Sequence, residues 1–266
     1  MKIGNYYYVI SNRKIVRFIY KLLGTIDLHS HIRLKPVYNF IEKFLCENSF
    51  KNVRILELEC GSGVSALEIN KISNKNNLNF DYTGIDSSDQ LISISKKIQN
   101  SIYPFENKIK FITDDAINFL KDNNQLKVDI ILLLDIIEHL KEPEILLDLS
   151  NEILESGGVY LISVPTELYP KYFGNKFHKE IGHQVDGYSL KKLKKMFNEI
   201  GCELIFYKYS TGILSKYGCW LYYKIFYTNS RLLQIIKWLF LFPFQYFDLI
   251  NNSKVSCSLF AVFKKK

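Results

Sequence analysis

Short apolar runs alternate with amphipathic stretches along most of the chain, from about residue 53 onward. The run VDIILLL is almost continuously apolar, which is typical of a central parallel strand that is covered on both faces. The apolar runs predict strands at 53–58, 80–85, 108–113, 128–134, 158–164, 202–209 and 258–264. The amphipathic stretches predict helices at about 64–72, 88–99, 143–154 and 189–200, with a short helix after the third strand. This alternation predicts βαβ units and a parallel sheet.

Two regions fall outside the alternation. Apolar positions recur at helical spacing at 15–22 and again at 37–45, and they predict two helices before the sheet. The aromatic stretch between the last two strands is too long for a turn and predicts an inserted helical element. The chain therefore divides into a helical segment at 1–50, a core at 51–211, an insertion at 212–252 and a final core strand at 253–266.

Composition narrows the class of protein. With 47% hydrophobic and 23% charged residues among 266, the chain has the composition of a folded globular protein. A net charge of +8 is typical of proteins that bind nucleic acid or an anionic membrane. The excess is mostly lysine, with only five arginines, which weakens the nucleic-acid interpretation. Five widely spaced cysteines without a CxxC pair, and an amino terminus without signal-peptide features, indicate a cytoplasmic protein.

The stretch ILELECGSG at 55–63 is a strand that ends in an acidic residue and enters a glycine-containing turn before a helix. Gly61 and Gly63 allow a sharp bend and a close approach to a ligand. A dinucleotide-binding GxGxxG motif would place a third glycine at Ala66, so a nicotinamide site is disfavoured. A simple strand-to-helix turn is the alternative.

Acidic residues follow the second and third strands. Asp86 in TGIDSS stands where doubly wound folds bind the hydroxyls of a ribose. Asp115 and Ala116 in TDDAINFL stand where a carboxylate would accept a hydrogen bond from an adenine amine. A helix cap is the alternative for both acids, and Ser87 and Ser88 suit that role equally well.

The stretch LLLDIIEHL places three ionisable groups after the fourth strand, where open α/β sheets have their ligand crevice. Asp135, Glu138 and His139 are candidate ligands of a divalent metal, or a base with its orienting group. The alternative is that they cap and solvate the next helix.

In this order and spacing, these stretches and LESGGVYLISVP at 154–165 resemble the class I S-adenosylmethionine (SAM)-dependent methyltransferases. The resemblance covers roughly residues 50–210 and the final strand. It implies a Rossmann-like, doubly wound α/β sheet of seven strands with the last one antiparallel. It also implies a SAM site whose candidate residues are Glu57, Glu59, Gly61, Gly63, Asp86, Asp115, Ala116 and Asp135.

The chain departs from this family at Glu59, where the pattern has its first glycine. A side chain there would crowd the methionine part of SAM, and its charge would repel the SAM carboxylate or pair with the SAM ammonium.

The run Asp135-x-x-Glu138-His139 is similar to the metal-binding segment of the ubiquinone-pathway O-methyltransferases, which implies a divalent ion such as Mg²⁺. Without a metal, His139 is the candidate base. His183 in GHQVDGYSL is the second candidate, because the resemblance puts that segment over the acceptor.

The stretch 231–250 is the most apolar part of the chain, but its unbroken piece, WLFLFPF, is far shorter than the ~20 residues that span a bilayer. It suits a lid over a hydrophobic acceptor, a peripheral contact with the inner face of the membrane, or ordinary packing. The expected function is methyl transfer to a small-molecule acceptor, lipid- or glycan-linked if the lid interpretation holds, most readily at oxygen. The alternatives are a SAM-fold binding protein that has lost catalysis and, less favoured, a nucleic-acid methyltransferase.

Overall fold

The computed structural model describes residues 28–49, 51–102, 108–174, 182–214, 217 and 254–266. The first predicted helix at 15–22 and nearly all of the insertion at 212–252 lie outside these residues. The second predicted helix is α1 (Leu28–Glu47), which is longer than the periodicity indicated and includes Pro36. No helix among the described residues is long and apolar enough to cross a membrane.

The predicted strands and helices of the core occur in the predicted order, with boundaries that differ by a few residues. The short helix at Tyr169–Phe173 and the 3-10 turn were not predicted. The strands are β1 (Val53–Leu58), β2 (Phe80–Asp86), β3 (Lys108–Thr113), β4 (Val128–Leu134), β5 (Leu154–Pro165), β6 (Cys202–Ser210) and β7 (Ser258–Lys265). The helices are α2 (Val64–Asn76), α3 (Asp89–Ile102), α4 (Ala116–Asp122), α5 (Pro143–Ile153), α6 (Tyr169–Phe173) and α7 (Leu190–Glu199). A single 3-10 turn covers Ile137–His139.

The seven strands form one sheet in the order β3-β2-β1-β4-β5-β7-β6. Strands β1 to β5 are parallel to their neighbours, whereas β7 is antiparallel to both β5 and β6. The predicted fold class, a doubly wound sheet with an antiparallel last strand, is therefore confirmed. The order reverses between β1 and β4, and open α/β sheets bind ligands at the carboxyl ends of the strands at such a switch point.

The sheet has an apolar core on each face, because its central strands are buried on both sides. On one face α1 and α2 pack through Val37, Ile41 and Ile69. On the other, α4, α5 and α7 pack through residues such as Phe119, Leu146 and Phe197. Strand β5 begins at Leu154, four residues before the predicted start at 158, because Leu154 pairs with Val128 before an irregularity in the β4–β5 register.

Candidate functional site

The turn after β1 is built around three left-handed residues, Glu59, Gly61 and Gly63, whose φ angles are 56°, 57° and 71°. The Cys60 amide donates to the Ile85 carbonyl at 2.8 Å, which holds the turn against the end of β2. A Cβ atom at Gly63 would lie 2.6 Å from the ring of Phe111, so this position has room only for glycine. A Cβ atom at Gly61 would meet nothing within 4 Å, so the turn presents an open backbone surface there.

Asp86 ties the end of β2 to this turn. It is 4% exposed. Its two carboxylate oxygens accept from the backbone amides of Gly61 at 2.7 Å and Ser88 at 2.9 Å. Each oxygen keeps further acceptor capacity, because a carboxylate offers about four lone-pair sites. The carboxylate therefore fixes the turn and can still accept hydrogen bonds from a ligand.

Glu57 faces the interior of the protein. Its side chain is 3% exposed and accepts hydrogen bonds from the hydroxyl of Ser65, at 2.9 Å, and from the hydroxyl of Tyr82. Burial, with repulsion from Asp86, raises the pKa of Glu57 to about 7 against the opposing effect of these two hydrogen bonds. The sequence assigned Glu57 to the ligand. In the structure it joins β1 to α2 and β2 beneath the turn, and its contact with SAM stays a prediction.

Glu59 lies among other carboxylates. Burial, followed by repulsion from Asp86 and Asp115, raises its pKa from 4.5 to about 7, while a hydrogen bond from the Ser87 backbone opposes the shift. These partners follow β2 and β3, the region to which the sequence assigned ribose and adenine. These partners place the carboxyl group of Glu59 near the expected nucleoside end, and its contact with the methionine part of SAM stays a prediction.

Asp115 is the N-cap of α4. One of its oxygens accepts from the amides of Ile117 and Asn118, both at 3.0 Å. The side chain is exposed and the next residue, Ala116, is buried. The capping alternative is correct for Asp115, and it leaves the second carboxylate oxygen on the solvent side of the cap.

Asp135 leaves β4 with a left-handed φ of 59°, and its amide donates to the Ser163 carbonyl at 2.8 Å. Its carboxylate forms an ion pair with Arg33 of α1, and both side chains are largely buried. Asp135 was predicted to share a helical face with Glu138, but the left-handed residue separates it from the 3-10 turn. The predicted set of Asp135, Glu138 and His139 is therefore corrected, since Asp135 is engaged by an arginine.

A second group of side chains takes the place of that set. Glu138, His139 and His183 each have a possible ligand atom, and these atoms lie within 4.8 Å of one another. The two imidazole centroids are 4.7 Å apart, with the rings at 79°. Glu138 is 1% exposed, and its Oε2 atom has no hydrogen-bond partner within the described part of the chain. Burial, with repulsion from Asp135, raises the pKa of Glu138 well above its usual range.

The segment 182–188 brings His183 to this group. The Gln184 amide donates to the Glu138 carbonyl at 2.8 Å, and the Tyr188 hydroxyl donates to the Ile137 carbonyl at 3.1 Å. A Cβ atom at Gly187 would lie 2.3 Å from the Thr166 backbone, so glycine allows the segment to approach the end of β5. These contacts hold His183 next to Glu138, which lies 45 positions earlier in the chain.

Comparison with known proteins identifies the family of the chain. Residues 29–206 match the protein family described as "Methyltransferase domain". The chain belongs to the class I SAM-dependent methyltransferase family. This methyltransferase is 25% identical over 156 residues to the ubiquinone biosynthesis O-methyltransferase of Pelagibacter ubique (strain HTCC1062). That match covers 53% of this chain and 60% of the relative.

Solved structures show the same fold. A SAM-dependent methyltransferase from Archaeoglobus fulgidus has a TM-score of 0.55 at 13% identity, over 95% of this chain and all of that one. Magnesium protoporphyrin IX methyltransferase from Synechocystis PCC 6803, solved with bound SAM, has a TM-score of 0.55 at 10% identity. It aligns over 98% of this methyltransferase and 95% of its own chain.

Three functional contacts in this methyltransferase had no signal in the sequence. Arg33, Tyr82 and Ser65 become partners of acidic residues only through packing between separate elements. The acidic Glu57 and Asp135 were visible because they end strands, but their partners stand 8 to 102 positions away. In the sequence, an acidic residue at the end of an apolar run indicates only that a polar partner is needed, and it does not indicate which residue supplies it.

An exchange of Glu59 for glycine is expected to stabilise the protein, and more so at pH 8 than at pH 5. A left-handed residue other than glycine costs about 1 kcal/mol, which Glu59→Gly relieves at any pH. The raised pKa means that the folded state binds more protons than the unfolded state between 4.5 and about 7. Stability contributed by the wild-type carboxyl therefore falls as the pH rises through that window. Thermal or urea unfolding at the two pH values measures the difference.

Asn77→Gly provides the matched control. Asn77 is exposed at the carboxyl end of α2 and has a φ of 52°, so it shares the left-handed conformation but carries no carboxyl group. Its gain in stability should be the same at both pH values. An equal gain from Glu59→Gly at pH 5 and pH 8 would contradict the electrostatic contribution of Glu59.

Proposed function

We propose that the protein transfers a methyl group from SAM to a hydroxyl oxygen of a small molecule. The supporting observation is the position of two groups of residues at the switch point of the sheet. The turn 59–63 leaves β1 and the segment 135–139 leaves β4, and these neighbouring strands pair in parallel up to Leu58 and Leu133. A cofactor on the first segment would therefore lie beside an acceptor on the second.

The residues around Gly61 fit the nucleoside part of SAM. The open space over Gly61 admits a ligand against the backbone, and Asp86 offers acceptor capacity for two ribose hydroxyls. Glu59 and Asp115 extend the acceptors towards the expected adenine. Bound SAM supplies an activated methyl group on a sulfonium centre, and the surrounding carboxylates favour that positive charge.

The acceptor is assigned to Glu138, His139 and His183. Either imidazole can take the proton of a hydroxyl group, which makes the oxygen a better nucleophile. Glu138, buried beside them, can hold an imidazole in a fixed orientation through a hydrogen bond. His139 is exposed and His183 is half-buried, so the group borders the solvent where an acceptor would enter.

The same three residues fit a divalent metal. One carboxylate and two imidazoles suit a transition metal such as Zn²⁺ or Mn²⁺ better than Mg²⁺, which prefers oxygen ligands. The buried Oε2 atom of Glu138, without a hydrogen-bond partner among the described residues, agrees with a ligand role. A metal there would lower the pKa of an acceptor hydroxyl.

The choice of oxygen and of a small acceptor rests on the similarity to an O-methyltransferase of ubiquinone biosynthesis, which aligns over 60% of that relative. A hydrophobic acceptor is proposed as well, because the apolar stretch 231–250 suits a lid over it.

Calorimetry with SAM, followed by incubation of radiolabelled SAM with extracts of the source cell, tests the proposal. We expect SAM binding and one labelled small molecule that carries the labelled methyl group as a methyl ether. Absence of SAM binding to both the wild type and Glu59→Gly would defeat the proposal. Binding without a labelled product would favour a SAM-fold binding protein that has lost catalysis. Label in nucleic acid would favour a nucleic-acid methyltransferase.

Metal binding is expected to depend on His183 and not on Asp135. Titration of the protein with Zn²⁺ or Mn²⁺ should give one site, and Glu138→Gln or His183→Gln should weaken it at least about tenfold. Glu142→Gln, an exposed acid just beyond the 3-10 turn, is the matched control and should leave the affinity unchanged. Equal affinity in all three variants would place the metal elsewhere and leave the histidines as bases.

A further inference from the structure

A groove lies on the side of the sheet that is remote from the site described above. It runs between α1 and strands β5 to β7, and it reaches the amino end of β4 at Asp129 and the first half of β5 at 156–159. The residues proposed for SAM and the acceptor lie around the carboxyl ends of β1, β2, β3 and β4. The groove is therefore a separate cavity, of about 580 Å³. Pockets for small organic ligands commonly measure about 300–1,000 Å³.

The floor of the groove is aromatic. Phe40 of α1 lies 6.4 Å from Phe44 and 6.2 Å from Phe206 of β6, measured between ring centroids. The β6 side is incompletely covered, since Ile205 is 45% exposed and Phe206 41% exposed. An irregularity in the β6–β7 register falls between Leu204 and Phe206, and such irregularities re-aim side chains at the edge of a sheet. Large apolar side chains exposed next to one another commonly mark an interaction site.

The rim of the groove is basic. Four lysines line it together with only two carboxylates. Lys51 pairs with Asp129 at 2.8 Å and Lys43 with Glu47 at 3.6 Å, which accounts for both carboxylates. Lys208 and Lys264 remain, and neither forms an ion pair with any residue in the described ranges. The groove thus combines an apolar floor with Lys208, a positive charge without an ion pair among the described residues, whereas Lys264 lies opposite Glu203 in the β6–β7 register.

We propose that this groove binds a single-chain amphiphilic anion, a long-chain carboxylate, with its chain over Phe40 and Phe206 and its head group at Lys208, two residues beyond Phe206 on β6. A concave cavity of this volume accommodates one apolar chain, whereas a membrane surface would meet a flat or convex face. A lysine supplies a point charge that suits a carboxylate, and the forked guanidinium geometry that reads nucleic acids does not occur among the lining residues.

Calorimetric titration with decanoate, below the concentration at which it forms micelles, tests this site. We expect saturable binding of one decanoate, and at least about tenfold weaker binding by the Lys208→Gln variant. Phe206→Ser should weaken decanoate binding as well. Lys191→Gln, at an exposed lysine on α7 outside the groove, is the matched control and should bind as the wild type does.

Three results would overturn the proposal. The first is decanoate binding that is absent or equal in the wild type and the Lys208→Gln variant. The second is binding only to phosphatidylglycerol vesicles, which would indicate a membrane surface. The third is a dimer in light scattering that Phe206→Ser converts to a monomer without decanoate binding, which would assign the face to a second copy. Unchanged SAM affinity in every variant confirms that the fold and the site at the carboxyl ends are intact.

Discussion

Asp86→Asn is expected to weaken SAM binding on the order of 100-fold and to lower the free energy of unfolding by about 1–3 kcal/mol. The wild-type carboxylate accepts from two backbone amides, Gly61 and Ser88, with one oxygen each. An asparagine must direct its NH₂ group at one of those amides, which places a donor against a donor. It also offers the ribose hydroxyls a neutral acceptor in place of an anion, and hydrogen bonds to charged groups are roughly twice as strong.

Calorimetry with SAM and urea unfolding of the same variant separate these two effects. Asp81→Asn, on the same strand but at its amino end, is the matched control and should change neither quantity by much. A variant at Asp86 that is less stable but binds SAM as tightly as the wild type would show that the carboxylate only supports the turn.

His183→Gln and His139→Gln are each expected to slow methyl transfer by about 10²- to 10⁴-fold, the range in which a positioned base contributes. The imidazoles contact each other and lie within reach of Glu138, so the loss of either one removes a proton acceptor or a metal ligand. SAM affinity should change little, because both histidines lie beyond the cofactor residues.

The rate of label transfer from SAM to the acceptor identified in cell extracts measures this effect. If the histidines act as bases without a metal, chelators should have no effect on the rate. If they hold a metal, a chelator should abolish the rate and added Zn²⁺ or Mn²⁺ should restore it. Variants that transfer label at the wild-type rate would exclude both roles.

The fold could be predicted from the sequence because each of its strands coincides with a short run of mainly apolar residues. The run 128–134 is apolar at nearly every position and is a central strand buried on both faces. The acidic residues at the ends of these strands could also be predicted, since each follows a short apolar run directly in the sequence. Among the strands, the main misplacement was the start of β5, which is set by pairing with Val128 and not by local hydrophobicity.

The sequence predicted which acidic residues lie at the candidate site, but it did not predict the residues with which they pair. Asp135 and Glu138 are three positions apart, a spacing that places two residues on one face only within a regular helix. The left-handed backbone of Asp135 breaks that regularity, and its partner Arg33 stands on an element 102 positions earlier. Whether a carboxylate meets an arginine, a hydroxyl or solvent is decided by tertiary packing, which sequence spacing does not encode.

The pairing of Arg33 with Asp135 has a practical consequence for work on the isolated core. A shortened protein that starts near residue 50 would retain every strand of the sheet but would lose the cation that balances Asp135. The negative charge next to Glu138 would then be unopposed, and the proton on Glu138 would be held more tightly still. Proteins trimmed to the sheet would therefore show a different acidity at the acceptor side from that of the longer chain.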